Sequence, residues 1–224
     1  MSRHAFVLAG GQGSRMGFDK ARAPWRGQAM AASVAEVVAQ VATHVTLVRR
    51  GAPDGLPWVD RQGRSLSVVY EPDDGPRHPL AGVVRALELA DGADILVVPC
   101  DVPHLGVAAL RQLCAQGPCV AHDGDRVHPL VAVLPTGLLG RARALWQAEA
   151  PARRLVEGLS TCTLPAAELR NANRPEDVDD PLGRLAERLP TGEDVERILQ
   201  GERARWAARG VLCPVRGEGV PWPR

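Results

Sequence analysis

A single lysine occurs in the whole chain, Lys20, a few residues beyond glycines at positions 10, 11 and 13; every other basic position is arginine. A compact ammonium can touch two phosphates as a point charge, which a planar guanidinium fork does not copy. The glycines point the same way. Gly10, Gly11 and Gly13 open dihedrals closed to residues with a Cβ, so successive amides can converge on an anion, with Arg15 and Lys20 adding charge. Two familiar phosphate loops do not fit. A P-loop needs Gly-Lys-Ser/Thr, whereas Lys20 stands between Asp19 and Ala21. The dinucleotide fingerprint needs a third glycine where Met16 stands.

Asp101 is the second chemical centre. It closes an apolar run between Pro99 and Pro103, a place for a carboxylate only if it faces a cleft. A hard oxygen ligand there suits Mg²⁺, which takes one or two carboxylates together with substrate phosphates. The competing use of Asp101 is as a cap on the following helix. His122 and His128 face each other across a turn but lack a third ligand, so hydrogen bonding beside a cleft is the expected role. Cys100, with no basic neighbour in sequence, reads as core packing. No Ser-His-Asp or Cys-His nucleophile pattern stands out. A phosphomonoester with its second pKa at about 6 is itself a sufficient nucleophile and needs no strong base.

These residues require elements to hold them. The apolar stretch 5–9 predicts a buried strand running straight into the glycines, and 95–99 predicts another ending at Asp101. Strands over 45–48 and 66–70 and helices over 30–43, 80–90 and 107–116 alternate with them. Such alternation predicts a three-layer α/β fold: a mostly parallel sheet with helices on both faces and ligands at the carboxyl ends of its strands. Residues 119–122 and 128–134 flank Asp123-Gly124, the signal of an antiparallel hairpin excursion. A helix over 138–148 and an edge strand over 160–164 follow.

The motif Leu8-Ala9-Gly10-Gly11-x-x-x-Arg15-Met16-Gly17-x-Asp19-Lys20 resembles the signature loop of nucleotidyltransferases that join a nucleoside monophosphate to a phosphorylated substrate. Within that group it looks most like the molybdenum cofactor guanylyltransferases. Val98-Pro99-Cys100-Asp101-Val102-Pro103 matches the segment whose aspartate binds magnesium there. His78-Pro79-Leu80-Ala81-Gly82 resembles their Gly-Pro-Leu-Ala-Gly, with His78 for the first glycine. His122-Asp123-Gly124-Asp125-Arg126-Val127-His128-Pro129 and Asn171-Ala172-Asn173-Arg174-Pro175-Glu176-Asp177 are similar to two further motifs, in the family's order.

The resemblance implies a Rossmann-like nucleotidyltransferase fold and transfer of GMP from GTP to molybdopterin, releasing pyrophosphate. It implies nucleotide contacts at Leu8, Ala9, Gly10, Gly11, Asp73, Leu80 and Gly82, catalytic roles for Arg15, Lys20 and Asp101, and Mg²⁺ on Asp101. His122, Asp123, Arg126, His128, Asn171 and Asn173 would lie toward molybdopterin. Leu-Ala-Gly-Gly, rather than Leu-Ala-Ala-Gly, is the form associated with guanine over cytosine. Molybdenum insertion proteins or a recipient molybdoenzyme are the macromolecular partners implied. The chain departs from the family twice: residues 45–49 carry no asparagine after the second strand, and Pro72 aligns with an aspartate after the third. A cytidylyl or sugar-phosphate nucleotidyltransferase, or a binding module that delivers cofactor without catalysis, are the alternatives.

Composition narrows the field further. A net charge of +1 gives no electrostatic case for nucleic acid or an anionic membrane, and no apolar run approaches a membrane span. Five cysteines without a Cys-x-x-Cys read as reduced, buried thiols, and the first strand begins too early for a signal peptide. A cytoplasmic protein is expected. Residues 1–180 form the expected nucleotidyltransferase domain. A charged helical extension, opened by a capping box at Thr191, occupies 181–209, and an unstructured Gly- and Pro-rich tail covers 210–224.

Overall fold

The computed structural model describes residues 3–11, 19–179 and 194–213. The strands are β1 (His4–Leu8), β2 (Pro24–Trp25), β3 (Gln28–Ala29), β4 (His44–Arg49), β5 (Ser67–Tyr70), β6 (Ile95–Pro99), β7 (Cys119–His122), β8 (Val127–Leu134) and β9 (Ser160–Thr163). Seven of them make one sheet in the order β5-β4-β1-β6-β8-β7-β9. β1 pairs in parallel with both β4 and β6, and β5 extends this half beyond β4. β8 runs antiparallel to both its neighbours, and β9 closes the edge parallel to β7. The chain builds outward from β1 to β5, then crosses back to β6 on the other side of β1. That reversal leaves a crevice beyond the strand ends, the usual ligand position in such sheets.

Alternation along β1 explains the layers. Ala5 and Val7 pack into one core with α1 (Met30–Val38) and α3 (Val107–Ala115). Phe6 and Leu8 pack into the other with α2 (Leu80–Glu88) and α4 (Leu139–Gln147). A strand covered on both faces has no room for polar side chains, which is why β1 and β6 read as unbroken apolar runs. Each fully buried Leu, Val or Phe contributes about 1.5–3 kcal/mol, so the ends of these strands are firmly placed.

Some expectations are adjusted. α1 stops at Val38, because the amides of Gln40 and Val41 reach only three residues back, to Val37 and Val38, and tighten the chain into a turn. The short piece after Lys20 is a two-stranded ribbon, β2 with β3, whose turn holds Arg26 at φ 49 and Gly27 at φ 85. Asp101 does not cap α3, which starts at Val107 behind Gly106, whose amide donates to Glu168 instead. α5 (Asp194–Ala208) falls within the expected extension, while the Thr191 capping residue lies outside the described residues. Residues 210–213 depart from the expected loose tail: Val211 is buried, and the Leu212 amide donates to Arg22 O at 3.0 Å. None of the described helices is long and apolar enough to cross a membrane.

Candidate active site

A cleft of about 600 Å³ opens beyond the carboxyl ends of β1, β4, β5 and β6, and both Lys20 and Asp101 line it. Their placement follows from the chain on either side. Cys100 N donates to Leu8 O at 2.9 Å, tying the end of β6 to that of β1 just before Asp101. Lys20 opens a 3₁₀ turn over Lys20–Arg22, capped by the Asp19 carboxylate through the Ala21 amide at 3.0 Å. Arg22, fully buried, anchors that turn. It makes two 2.7 Å bonds to the Asp54 carboxylate, donates to the carbonyls of Leu56, Pro57 and Gly210, and stacks 3.8 Å from the Trp58 ring centre.

Lys20 Nζ donates to Asp101 Oδ2 at 2.9 Å and to Asn173 Oδ1 at 2.5 Å. Asn171 Nδ2 meets the same Asp101 oxygen at 3.1 Å, and the Ala172 amide bonds to Asp101 O at 2.8 Å. Asp177 fixes the segment by accepting the amides of Asn173 and Arg174. Two side-chain donors thus share one oxygen of Asp101, while Oδ1 takes no donor among the described residues. A carboxylate with one oxygen open is a hard-oxygen ligand. It fits Mg²⁺ held largely by substrate phosphates, and no cluster of three or more His, Cys, Asp or Glu competes for it among the described residues. Burial first, and the neighbouring Asp101 charge second, push the Cys100 thiol up to about 12, so it packs and does not react.

Arg49 secures the glycine loop at both ends. Its Nη1 donates to Ala9 O at 2.7 Å and its Nη2 to Asp19 Oδ2 at 2.6 Å, while the guanidinium lies 4.8 Å from the Trp58 ring centre. Arg49, which ends the stretch where the resemblance led to an asparagine being expected, therefore bonds to both Ala9 and Asp19.

The predicted residues divide by position. Leu8, Gly10, Gly11, Lys20, Asp101, His128, Asn171 and Asn173 line one cleft. Ala9 and Leu80 are buried behind its wall, and Gly82 backs onto Leu8 and Glu71. Asp73 is exposed on its loop and outside the lining; the carboxylate that reaches the cleft from that strand end is Glu71. His122 and Arg126 also lie outside the lining: His122 Nδ1 accepts the Gly124 amide, and exposed Arg126 pairs with Asp123 at 3.5 Å. Asp123 builds the turn by accepting the amides of Asp125 and Arg126 and orients His128 through a 2.7 Å contact to Nε2. Arg15 and Gly13 lie outside the described residues.

Arg50, Glu71 and His78 line the cleft as well, and residue-by-residue reading did not single out the first two. The available signal was position: each stands at the carboxyl end of a predicted parallel strand, where the family motif breaks. Arg50 Nε donates to Glu71 Oε2 at 2.8 Å and its Nη2 to His78 O at 3.3 Å. Burial raises the Glu71 carboxyl above its ordinary range, with Arg50 opposing.

The doubly covered sheet with a cleft at its carboxyl edge is the α/β architecture in which nucleotide-binding enzymes place their ligands. The MobA-like NTP transferase domain matches residues 5–164, and the chain belongs to that family. It is 32% identical over 180 residues to a molybdenum cofactor guanylyltransferase of Ectopseudomonas mendocina (strain ymp), covering 76% of this chain and 87% of the relative. Among solved structures it is similar to a molybdopterin-guanine dinucleotide biosynthesis protein A of Archaeoglobus fulgidus, with TM-score 0.60, 18% identity, and 78% of this chain and 94% of that one covered. A 2-C-methyl-D-erythritol 4-phosphate cytidylyltransferase of Thermus thermophilus shares the fold at TM-score 0.52 and 20% identity, covering 79% and 95%.

Proposed function

We propose that this protein transfers GMP from GTP to molybdopterin, releasing pyrophosphate and forming a guanine dinucleotide. The observation that carries the reading is the meeting of the chain's one lysine with Asp101, 2.9 Å apart, inside a single cleft beside the glycine loop. The guanylyltransferase relatives supply the substrate class, and the Gly10-Gly11 pair agrees with guanine.

In this mechanism an oxygen of the molybdopterin phosphate attacks the α-phosphorus of GTP. A new P–O–P bridge forms as the bond to the β-phosphate oxygen breaks, and its electron pair leaves with pyrophosphate. Lys20 holds the polyphosphate and offsets charge that grows on the leaving oxygens. Asn171 and Asn173 keep Lys20 and Asp101 in position and offer amides to the acceptor. Asp101, through Oδ1, would hold Mg²⁺, which supplies Lewis-acid neutralisation of the phosphates when bound. His128, oriented by Asp123, lines the part of the cleft where the acceptor would lie.

The test is incubation of the purified protein with molybdopterin, Mg²⁺ and α-labelled GTP or CTP, with dinucleotide products separated by chromatography. Labelled guanine dinucleotide with stoichiometric pyrophosphate is expected. Product from CTP alone overturns the guanylyl reading, and no product from either nucleotide overturns transfer.

A further inference from the structure

The turn that carries Lys20 is fastened from outside the shared domain. Residues 194–213 lie beyond the stretch 5–164 that the family domain covers, and their far end closes on Arg22. Arg22 is fully buried and uses all five of its N–H donors. Nε and Nη2 take the two Asp54 oxygens at 2.7 Å each, Nη2 also takes Leu56 O, and Nη1 takes Pro57 O and Gly210 O. Its own carbonyl accepts the Leu212 amide at 3.0 Å. The short stretch 210–212 therefore holds Arg22 by side chain and backbone at once. That stretch is itself anchored: Val211 is buried, its amide bonds to Trp206 O at 3.0 Å, and Trp206 packs on the core that contains Trp58.

Trp58 joins this clasp to the chain on the other side of Lys20. Its ring centre lies 3.8 Å from the Arg22 guanidinium and 4.8 Å from that of Arg49, and Arg49 Nη2 holds the Asp19 carboxylate at 2.6 Å. Lys20 is thus bracketed: Asp19 before it is fixed from β4, and Arg22 after it is fixed by residues 54–57 and 210–212. A flexible four-carbon stem has wide rotamer freedom, so its ammonium delivers charge to one spot only when the backbone beneath it is held.

We infer that Arg22 and residues 210–212 are positioning residues for Lys20, so that the segment after α5 sets the ammonium on the polyphosphate. This rests on the reading of Lys20 as the phosphate ligand and deepens it. Nucleotide affinity then depends on a stretch that lies outside the cleft lining altogether.

Because Lys20 is the only lysine, protein grown on ¹³C-labelled lysine reports that one side chain by NMR. The proteins are wild type, Leu212→Pro, which deletes the amide donated to Arg22 O, and Gly210→Ala, with melting curves as the folding control. Inorganic tripolyphosphate, titrated by calorimetry, is the ligand. In wild type the two ε-methylene protons of Lys20 are expected at separate shifts, as a held side chain gives. In both variants they should merge, and tripolyphosphate affinity should fall roughly tenfold, the loss of about one hydrogen bond to a charged group. Merged protons or no tripolyphosphate binding in wild type overturns the inference. So does a folded Leu212→Pro protein in which the lysine signal or the affinity is unchanged, since the segment then serves stability alone. Should Leu212→Pro fail to fold, Gly210→Ala decides it by the same two readings. Both are taken without base, acceptor or turnover, so a wild type that passes them yet makes no dinucleotide overturns the proposed reaction and leaves the clasp standing.

Discussion

At the scale of single residues, the cleft depends on charge type as much as charge. Lys20 touches Asp101 and Asn173 at once as a compact point charge, a pair of contacts that arginine's planar fork does not copy. Lys20→Arg is therefore expected to lower kcat by about 10²–10³-fold, the usual loss for one donor to a developing anion. Asp101→Asn should do the same while leaving the melting temperature nearly unchanged. Steady-state dinucleotide formation checks both, and retention of more than about a tenth of wild-type kcat would contradict the assignment.

Asp123 gives a second residue-scale expectation. Its carboxyl is held below its ordinary 3.8 first by the hydrogen bond to His128, then by the amides of Arg126 and Asp125. A depressed folded-state pKa adds stability that is present above the ordinary carboxylate value and is lost as pH falls through the folded one. Asp123→Asn should thus flatten the acid side of a plot of melting temperature against pH. An unchanged slope below about pH 4 would remove Asp123 from the acid response.

At the scale of elements, Arg49 on β4 links the residues flanking the glycine loop, Ala9 and Asp19. Arg49→Lys loses the paired bonds to Asp19 while keeping the charge. The KM for GTP should rise roughly tenfold, with a smaller change in kcat, because the mutation loosens binding of the whole polyphosphate. A pure kcat effect would instead place Arg49 among the groups that act only in the transition state.

Position along the strands also decided what could be read in advance. Lys20 and Asp101 were legible because the stretches 5–9 and 95–99 are apolar throughout and end abruptly in glycine or, one residue on, a carboxylate. The hairpin was legible from Asp123-Gly124. Glu71 was not, since its importance comes from the pairing of β5 with β4, which brings Arg49 opposite Tyr70 and so sets Arg50 near Glu71. Nothing local in Tyr70-Glu71-Pro72 announces that. The parallel direction of β9 was hidden for a similar reason: four residues with one buried side chain, Cys162, describe an edge strand equally well in either orientation.

At the scale of the whole molecule, the segment around Gly210 reaches back to the turn that carries Lys20. Gly210 sits at φ +72 with its carbonyl on Arg22 and a hypothetical Cβ only 2.1 Å from Pro57 O, a backbone atom that cannot step aside. Gly210→Ala should cost about 2 kcal/mol through strain and displacement, lowering Tm by roughly 4–8 °C for a chain of this size. Because Arg22 is two residues from Lys20, the KM for GTP should rise as well. A normal melting curve would show that the segment rests on the surface without bracing the turn. This contact spans 188 positions in the chain, which is why composition alone suggested a loose tail.

One reversed strand has a consequence for how the cleft can be altered. Because β8 runs against β6, the β7–β8 tip reaches the rim at the beginning of a strand and is fastened almost wholly by its own short-range bonds through Asp123 and His122. On the proposed reaction, the tip that carries His128 can be exchanged without touching the nucleotide half, and with it the side chain offered to the acceptor. Exchanging residues 122–128 should move the KM for molybdopterin and leave nucleotide affinity where it was.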